Sequence, residues 1–240
     1  MTNENLMQKM VYAISQAISV DAPRERAEHR LETNNRNRYL VGDLINENLK
    51  HQAVSDSVEL IGFNRSAWEG RLIADHDSST TYTIIALKTL ERAVRKKRNV
   101  PYYLQAILVQ QNNELVGAPK QLTLADFSTE FTADCFMEEE YDYTYRSMFG
   151  ENADKLLSYQ HYVVVYEAES SELQSIGLYL FDKDFATVEF MDLSEYIKPD
   201  FAALTGFSEK PELQEGKRGS SPKMNGLVRL KPELKERKQA

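Results

Sequence analysis

Residues 68–113 constrain the fold most, because they hold the clearest succession of strand, helix and strand signals in the chain. The alternating segment Trp68–Asp75 predicts a strand, and the polar residues after it supply a turn. Apolar residues at helical spacing predict one long helix over residues 79–98, which ends before Pro101 because proline disfavours helical geometry in the preceding residue. Residues 102–111 form an apolar run of strand length. These signals predict a strand, a helix and a second strand in chain order, with the helix crossing one face of a sheet.

The segments before and after this unit carry further signals. Amphipathic or charged patterns predict three helices and a first strand before it, at residues 5–20, 24–32, 38–51 and 58–63. Later in the chain, β-branched and aromatic residues predict an antiparallel meander of three strands, at residues 161–167, 173–181 and 187–191. Between these regions the sequence favours a hairpin over residues 114–124 and an irregular or partly helical segment over residues 125–150.

These signals together predict an α+β fold. It comprises N-terminal helices, a mixed and mostly antiparallel central sheet of about six or seven strands, one long helix that crosses the sheet, and a disordered basic C-terminal tail. The predicted domain limits are residues 1–53 for the helical segment, 54–207 for the sheet domain and 208–240 for the flexible tail. Disorder is expected in the tail because polar residues, glycine and proline accumulate there.

Composition narrows the class of protein. The chain has no apolar run long enough to span a membrane and no basic start followed by an apolar stretch, so neither a membrane span nor a signal peptide is expected. Its one cysteine, Cys135, allows no internal disulfide and fits a reducing compartment. With four histidines scattered along the chain, a structural zinc site is not expected. The expectation is a soluble, cytoplasmic protein without a metal or cofactor.

The ionised side chains are distributed unevenly along the chain, whose net charge is −8. Residues 1–100 carry 15 basic and 13 acidic side chains, residues 101–210 carry 6 and 20, and residues 211–240 carry 8 and 4. The middle block therefore has a net charge of −14, between a nearly neutral start and a basic end. A strongly acidic surface favours a partner with a basic surface, because electrostatic attraction speeds their encounter.

The acidic residues are most concentrated in an aromatic segment over residues 130–154. Carboxylates with aromatic rings between them can imitate the charge pattern of a nucleic-acid strand, which suits a basic groove on a partner. The first hypothesis is therefore a non-catalytic protein that binds a protein partner with a basic surface, favouring one that handles nucleic acids. The predicted binding residues are Glu130, Asp134, Glu138, Glu139, Glu140, Tyr141, Asp142, Tyr143 and Tyr145. The alternative is a solubilising acidic loop whose aromatic residues belong to the core.

The sequence contains neither a glycine-rich phosphate loop nor a GxSxG motif, so no motif of this kind argues for an enzyme. The order helix, strand, strand, helix, strand is nevertheless similar to the core of metal-dependent nucleases. Such enzymes use an acidic residue on a strand, then a second acid and a lysine two residues apart, to hold a divalent ion and activate water. Asp75 stands where the first acid belongs and Glu47 precedes it on a helix, but residues 102–111 contain no acid and no lysine. The second hypothesis is therefore a degenerate nuclease-like site, and its alternative is a polar turn at Asp75.

A cationic stripe on the predicted helix over residues 79–98 supports nucleic-acid binding as a further alternative. Its members, opposite the apolar arc, are Lys88, Arg92, Arg95, Lys96 and Arg98. Each phosphate contact from such a stripe adds to a salt-sensitive affinity. The simpler interpretation is a solvated helix back whose cations complement the helix dipole. In a third hypothesis, exposed aromatic residues form the interface of an oligomer or larger complex.

Overall fold

Six strands form one sheet in the part of the chain that the structure describes. A computed structural model of the protein describes residues 3–29, 37–65, 68–96, 98–116 and 136–197. The strands are β1 Val58–Arg65, β2 Trp68–Asp75, β3 Thr80–Ala86, β4 Gln160–Glu169, β5 Glu172–Phe181 and β6 Thr187–Asp192. They lie side by side in chain order, and every neighbouring pair is antiparallel except β3 and β4, which are parallel. The sheet is therefore mixed and mostly antiparallel, as the sequence predicts.

Helices cover both faces of this sheet. They are α1 Glu4–Gln16, α2 Ala22–Glu28, α3 Asn37–Gln52, α4 Leu87–Arg95, α5 Tyr103–Gln111, α6 Glu138–Phe149 and α7 Ala153–Leu156. A short π-helix, Ala17–Asp21, joins α1 to α2. α1 and α3 pack on one face, and α4 to α7 pack on the other. The predicted α+β class is confirmed.

Successive residues of the central strands contact different helical layers, because neighbouring side chains in a strand point to opposite faces. In β3, Tyr82 belongs to the core beneath α1 and α3, whereas Ile85 belongs to the core beneath α4 to α7. Ile73 and Leu72 of β2 divide between the two cores in the same way. Strands buried on both faces carry apolar residues at nearly every position, so they lack the alternation that marks a half-exposed strand.

The predicted long helix over residues 79–98 is wrong in its first half. Thr80–Ala86 is the strand β3, and α4 begins only at Leu87 and ends at Arg95. β-branched residues dominate β3, and they favour strands because their χ1 angles are restricted in a helix. Both faces of β3 are covered, so an apolar arc at helical spacing arises there without a helix. The helix that remains has nine residues, too few to cross the sheet as predicted.

The predicted strand over residues 102–111 is also wrong, because Tyr103–Gln111 is the helix α5. An apolar run of this length suits a buried helix as well as a buried strand, so the pattern does not distinguish them. The helix is buried against the sheet, with Leu104, Ile107 and Leu108 almost inaccessible to solvent. The interior of the sheet is formed by β2, β3, β4 and β5 instead.

Most other predicted elements agree with the structure. The N-terminal helices and β1 lie close to their predicted positions, and β4, β5 and β6 form the predicted antiparallel meander. Within the segment predicted to be irregular or partly helical, residues 138–149 form α6 and residues 125–135 lie outside the described chain. The second half of the predicted hairpin, residues 117–124, and the predicted tail, residues 208–240, also lie outside it. Among the described residues, no helix is both long and apolar enough to cross a membrane.

Candidate functional site

The predicted acidic surface includes the first turn of α6. Glu138, Glu139 and Glu140 are exposed there, where the positive end of the helix dipole stabilises carboxylates. Glu140 also accepts a hydrogen bond of 2.8 Å from the backbone N–H of Met137, so it caps the helix. Glu138 and Glu139 add two further exposed carboxylates to this turn.

The tyrosines of α6 divide between the core and the surface. Tyr141 and Tyr145 are buried, and the Tyr145 hydroxyl accepts a hydrogen bond of 2.9 Å from Gln111 Nε2. Burial raises the pKa of Tyr145 to about 12. Tyr143 is instead 76% exposed, and Met137 just before the helix is 65% exposed. Of the three predicted binding tyrosines, one ring therefore lies on the surface beside the glutamates.

The carboxylate of Asp142, another predicted binding residue, is paired on the surface of α6. Arg146 Nε lies 2.9 and 3.0 Å from its two oxygens, and Arg146 Nη1 lies 2.7 Å from Asp154 Oδ1. An exposed network of this kind contributes little to stability, but it sets a guanidinium beside both carboxylates. Glu130 and Asp134, which the sequence assigns to the same surface, lie outside the described residues.

The two catalytic candidates occupy different environments. Asp75 is fully buried, and its carboxylate accepts a hydrogen bond of 3.1 Å from the Asp77 N–H in the turn between β2 and β3. Glu47 is exposed on α3, with its Oε1 atom 2.8 Å from His51 Nε2. Within the described residues, no group of three or more histidine, cysteine, aspartate or glutamate side chains is arranged to hold a metal ion. Asp75 therefore has the geometry of a residue that stabilises a turn.

Four of the five predicted phosphate-binding cations are exposed on α4 or directly after its last residue. They surround a shallow depression of about 500 Å³, together with Glu91. The four are Lys88, Arg92, Arg95 and Lys96. Arg98 differs, because its guanidinium donates a 2.6 Å hydrogen bond to the carbonyl of Ala93 and lies 4.2 Å from the ring centroid of Tyr102. The cationic stripe therefore consists of three residues of α4 and Lys96 just after it, whereas Arg98 packs against the protein.

A buried polar network, which no sequence motif marks, joins β3 and β4 to α5. The imidazole of His161 is fully buried, with Nδ1 2.8 Å from Thr81 Oγ1 and Nε2 3.0 Å from Thr83 Oγ1. Thr81 donates its hydroxyl proton to Gln111 Oε1 at 2.6 Å. It therefore accepts from Nδ1–H of His161, and Nε2 accepts from the Thr83 hydroxyl. Burial lowers the pKa of His161 to about 3, so the ring is neutral and supports the fold.

Asn112 extends this support to β5. Its buried side chain donates hydrogen bonds of 2.8 Å to the carbonyls of His161 and Phe181 and accepts one of 2.9 Å from the His161 N–H. The Asn112 amide thus bridges β4 and β5. It lies just beyond Tyr162 and Leu180, which are the first paired residues of these two strands. The sequence predicted a hairpin turn at this asparagine. The structure has a turn there, in which the Leu115 N–H donates a 3.0 Å hydrogen bond to the Asn112 carbonyl, but residues 114–116 do not form the predicted strand.

A cleft of about 640 Å³ lies where β2 and β3 separate, and the sequence analysis did not identify it. Aromatic side chains form much of its wall, namely Tyr39, Phe63, Trp68, Tyr103 and Tyr166. The ring centroids of Phe63, Trp68 and Tyr103 lie 5.3 to 5.7 Å apart. Gly70 lies against the Phe63 and Trp68 rings, and a Cβ atom there would stand 2.4 Å from the Phe63 ring. The only tryptophan and a glycine in β2 are therefore the sequence signals closest to this site.

The fold and these sites define an α+β sheet protein with helices on both faces, a buried polar network beside one edge of β3 and an open cleft beside the other. The chain belongs to a family of unknown function, DUF5986, which matches residues 1–240. No curated protein and no solved structure matches it. The functional proposal therefore depends on the geometry of this chain.

Proposed function

We propose that this protein is a non-catalytic binding protein that engages a basic macromolecular partner through the first turn of α6. The observation that carries the proposal is the proximity of exposed carboxylates, Glu138 and Glu139, to the exposed side chains of Met137 and Tyr143. A basic protein that handles nucleic acids has the complementary charge. A cytoplasmic location is part of the same proposal, because a chain with one cysteine suits a reducing compartment.

Two physical effects support this surface as a binding site. Clustered carboxylates attract a cationic partner over several ångströms and raise its association rate, an effect that salt weakens. Methionine and tyrosine are enriched at protein interfaces, because each offers a large apolar area that binding removes from water. Met137 and Tyr143 supply that area beside the charge. The electrostatic and apolar contributions therefore act on the same partner.

The test compares the wild-type chain with the triple variant E138Q/E139Q/Y143S, which leaves the capping residue Glu140 intact. The matched control is E169Q/E172Q/Y12S, since these acids and Tyr12 are also exposed but lie elsewhere. Proteins captured from cell extract are identified by mass spectrometry, and the association rate of each purified partner is measured at low salt. We expect about a tenfold slower association with the triple variant and an unchanged rate with the control.

Equal recovery and equal association rates for all three proteins would refute the α6 surface, provided that their circular dichroism spectra agree. Light scattering on the isolated chain answers a related question. A dimeric mass that the triple variant reduces to that of a monomer would identify the partner as a second copy of this chain.

A second candidate function is nucleic-acid binding, which the four clustered cations on and just after α4 favour. Fluorescence anisotropy with DNA and RNA, measured between 50 and 200 mM salt, tests it. If the stripe contacts phosphates, replacing Lys88 and Arg92 by glutamine should reduce the salt slope for duplex DNA by about 0.9 for each lost contact. The same samples with Mg²⁺ or Mn²⁺ test the nuclease-like alternative at Asp75 and Glu47. If the protein shows no salt-dependent binding and no cleavage, both the nucleic-acid-binding and the nuclease-like alternatives are excluded.

A further inference from the structure

The two edges of β3 are paired to very different extents. The ladder between β3 and β4 runs along the whole of β3. The ladder between β2 and β3 ends at the pair Ile73 and Tyr82, although β2 extends back to Trp68 and β3 extends on to Ala86. Beyond this pair the two strands separate, and the cleft lies between them.

The register identifies the main-chain groups of β2 that face this gap. The N–H and C=O of one strand residue point to the same side, and successive residues alternate. The His76 N–H donates a 2.8 Å hydrogen bond to the Ser57 carbonyl on the β1 side. Even-numbered residues of β2 therefore face β1, and the main-chain groups of Glu69 and Arg71 face the gap.

The same reasoning applies to β3. The carbonyl of Ser79 accepts a 3.1 Å hydrogen bond from the Gln160 N–H on β4, so odd-numbered residues of β3 face β4. The main chain of Ile84 therefore faces the gap from the other side. Unpaired strand edges are templates for another extended chain, because their N–H and C=O groups lack a ladder partner.

The volume of the cleft and the length of the separated segments suit a short strand. A volume of about 640 Å³ is typical of ligand sites in proteins. Glu69 and Arg71 line it from β2, and Thr83 and Ile84 line it from β3. The separated segments are about four residues long, which corresponds to roughly 13 Å of extended chain at 3.3 Å per residue.

The cleft continues into an acidic groove. A second cavity, of about 720 Å³, shares Asp43, Asn46, Glu69 and Arg71 with the cleft. The carboxylates along the joined groove are Asp43, Glu47, Asp56, Glu59 and Glu69. Its permanent cations are Lys50 and Arg71, and Arg71 Nη2 already lies 3.7 Å from Glu69. Negative charge therefore exceeds positive charge along the groove, which favours a basic occupant.

We infer that this groove binds a short extended segment of a partner protein, which adds a strand between β2 and β3 and carries basic side chains into the acidic part. An extended peptide alternates its main-chain donors and acceptors between its two sides, so it satisfies Ile84 on one edge and Glu69 and Arg71 on the other. The aromatic wall provides the apolar contacts for its side chains. Nucleic acid does not fit, because its phosphates meet an excess of carboxylates.

This site does not depend on the proposed function of the α6 surface. It is built from α3, β1, β2 and β3 with Tyr103 and Tyr166, and none of the residues that line it belongs to α6. Substitutions of exposed side chains in one region therefore leave the other intact, and the two proposals can fail separately.

The first experiment selects a phage-displayed library of random 12-residue peptides on the full chain. We expect the enriched peptides to alternate β-branched or aromatic residues and to carry lysine or arginine at one end. Binding should slow hydrogen exchange of the Ile84 amide at least tenfold and leave the Ile85 amide, which faces β4, unchanged. N-methylation of amides in the centre of the peptide should weaken binding at least tenfold, whereas N-methylation at its ends should not.

The second experiment measures the same peptides with the variant D43K/E69K, for which E169K/E172K is the matched control. All four acids are exposed, so both variants are expected to fold. Affinity should fall at least tenfold in the first variant and stay unchanged in the second. The inference is overturned if no peptide is enriched, if bound peptides leave exchange at Ile84 unaltered, or if E138Q/E139Q/Y143S abolishes binding while D43K/E69K does not.

Discussion

The two edges of β3 meet their neighbours in opposite ways. Toward β4, every residue of the strand is paired, and the buried network around His161 ties the two strands to α5. Toward β2, pairing stops at Tyr82, and an open cleft replaces the ladder. The β-branched and apolar sequence of β3 is continuous and shows no feature that distinguishes one edge from the other. The groups that decide which edge closes therefore lie outside β3.

The closed edge is held by side chains that come from distant parts of the chain. Gln111 at the end of α5 accepts from Thr81 and donates to the Tyr145 hydroxyl, so it connects β3 to α6. At the open edge, the rings of Phe63, Trp68 and Tyr103 pack together beside the separated strand. A satisfied polar network thus stabilises one edge, while an aromatic cluster forms the wall of a cavity at the other.

The largest expected difference between the two edges is in hydrogen exchange along β3. The Ile85 amide pairs with β4 and opens only with the sheet, whereas the Ile84 amide faces the open gap. We expect Ile85 to exchange at least about 10³ times more slowly than Ile84, after correction for intrinsic rates, as measured by NMR on the isolated chain. Equal protection of the two amides would mean that the open edge is closed in solution.

Removing the buried imidazole should weaken the closed edge. His161→Ala leaves Thr83 without its hydrogen-bond partner and creates a cavity, so we expect the free energy of unfolding to fall by about 3 kcal/mol in a urea titration. The matched control is His51→Ala, which removes an exposed imidazole on α3 and should change stability by less than about 0.5 kcal/mol. A loss below about 1 kcal/mol at His161 would show that the network does not hold this edge.

The same imidazole predicts a pH dependence of stability. Its pKa is lowered by burial to about 3, below the ordinary value of 6.5, so the unfolded chain binds the proton more readily than the folded one. The contribution of the neutral imidazole to the free energy of unfolding is complete above pH 6.5. It is lost as the pH falls toward 3, by about 1.4 kcal/mol for each pH unit. His161→Gln, which keeps a donor and an acceptor but does not titrate, should show a shallower slope in urea titrations between pH 6 and pH 4. Identical slopes in the two proteins would contradict the assignment.

The sequence predicted the part of the sheet whose strands carry local signals. β4, β5 and β6 are rich in β-branched and aromatic residues and have short connections, so local preference and final pairing agree. The prediction for residues 79–111 was wrong because burial on both sides removes the hydrophobic pattern that distinguishes a helix from a strand. There Thr80–Ala86 became a strand and Tyr103–Gln111 became a helix. Tyr141 and Tyr145 likewise looked like surface residues until the packing of α6 placed them in the core.

The amino-acid sequence by itself determined the α+β class, the meander and the clustering of acidic residues, because each follows from neighbouring residues and their periodicity. Only the tertiary structure decided that His161 lies between Thr81 and Thr83, about 80 positions earlier in the chain, and that β2 leaves one edge of β3 open. Contacts over such separations depend on how whole elements pack, since no local preference encodes which distant side chain arrives. The acidic segment was therefore predictable from the sequence. The cleft is not, because it forms only where β2 and β3 separate beyond their paired residues.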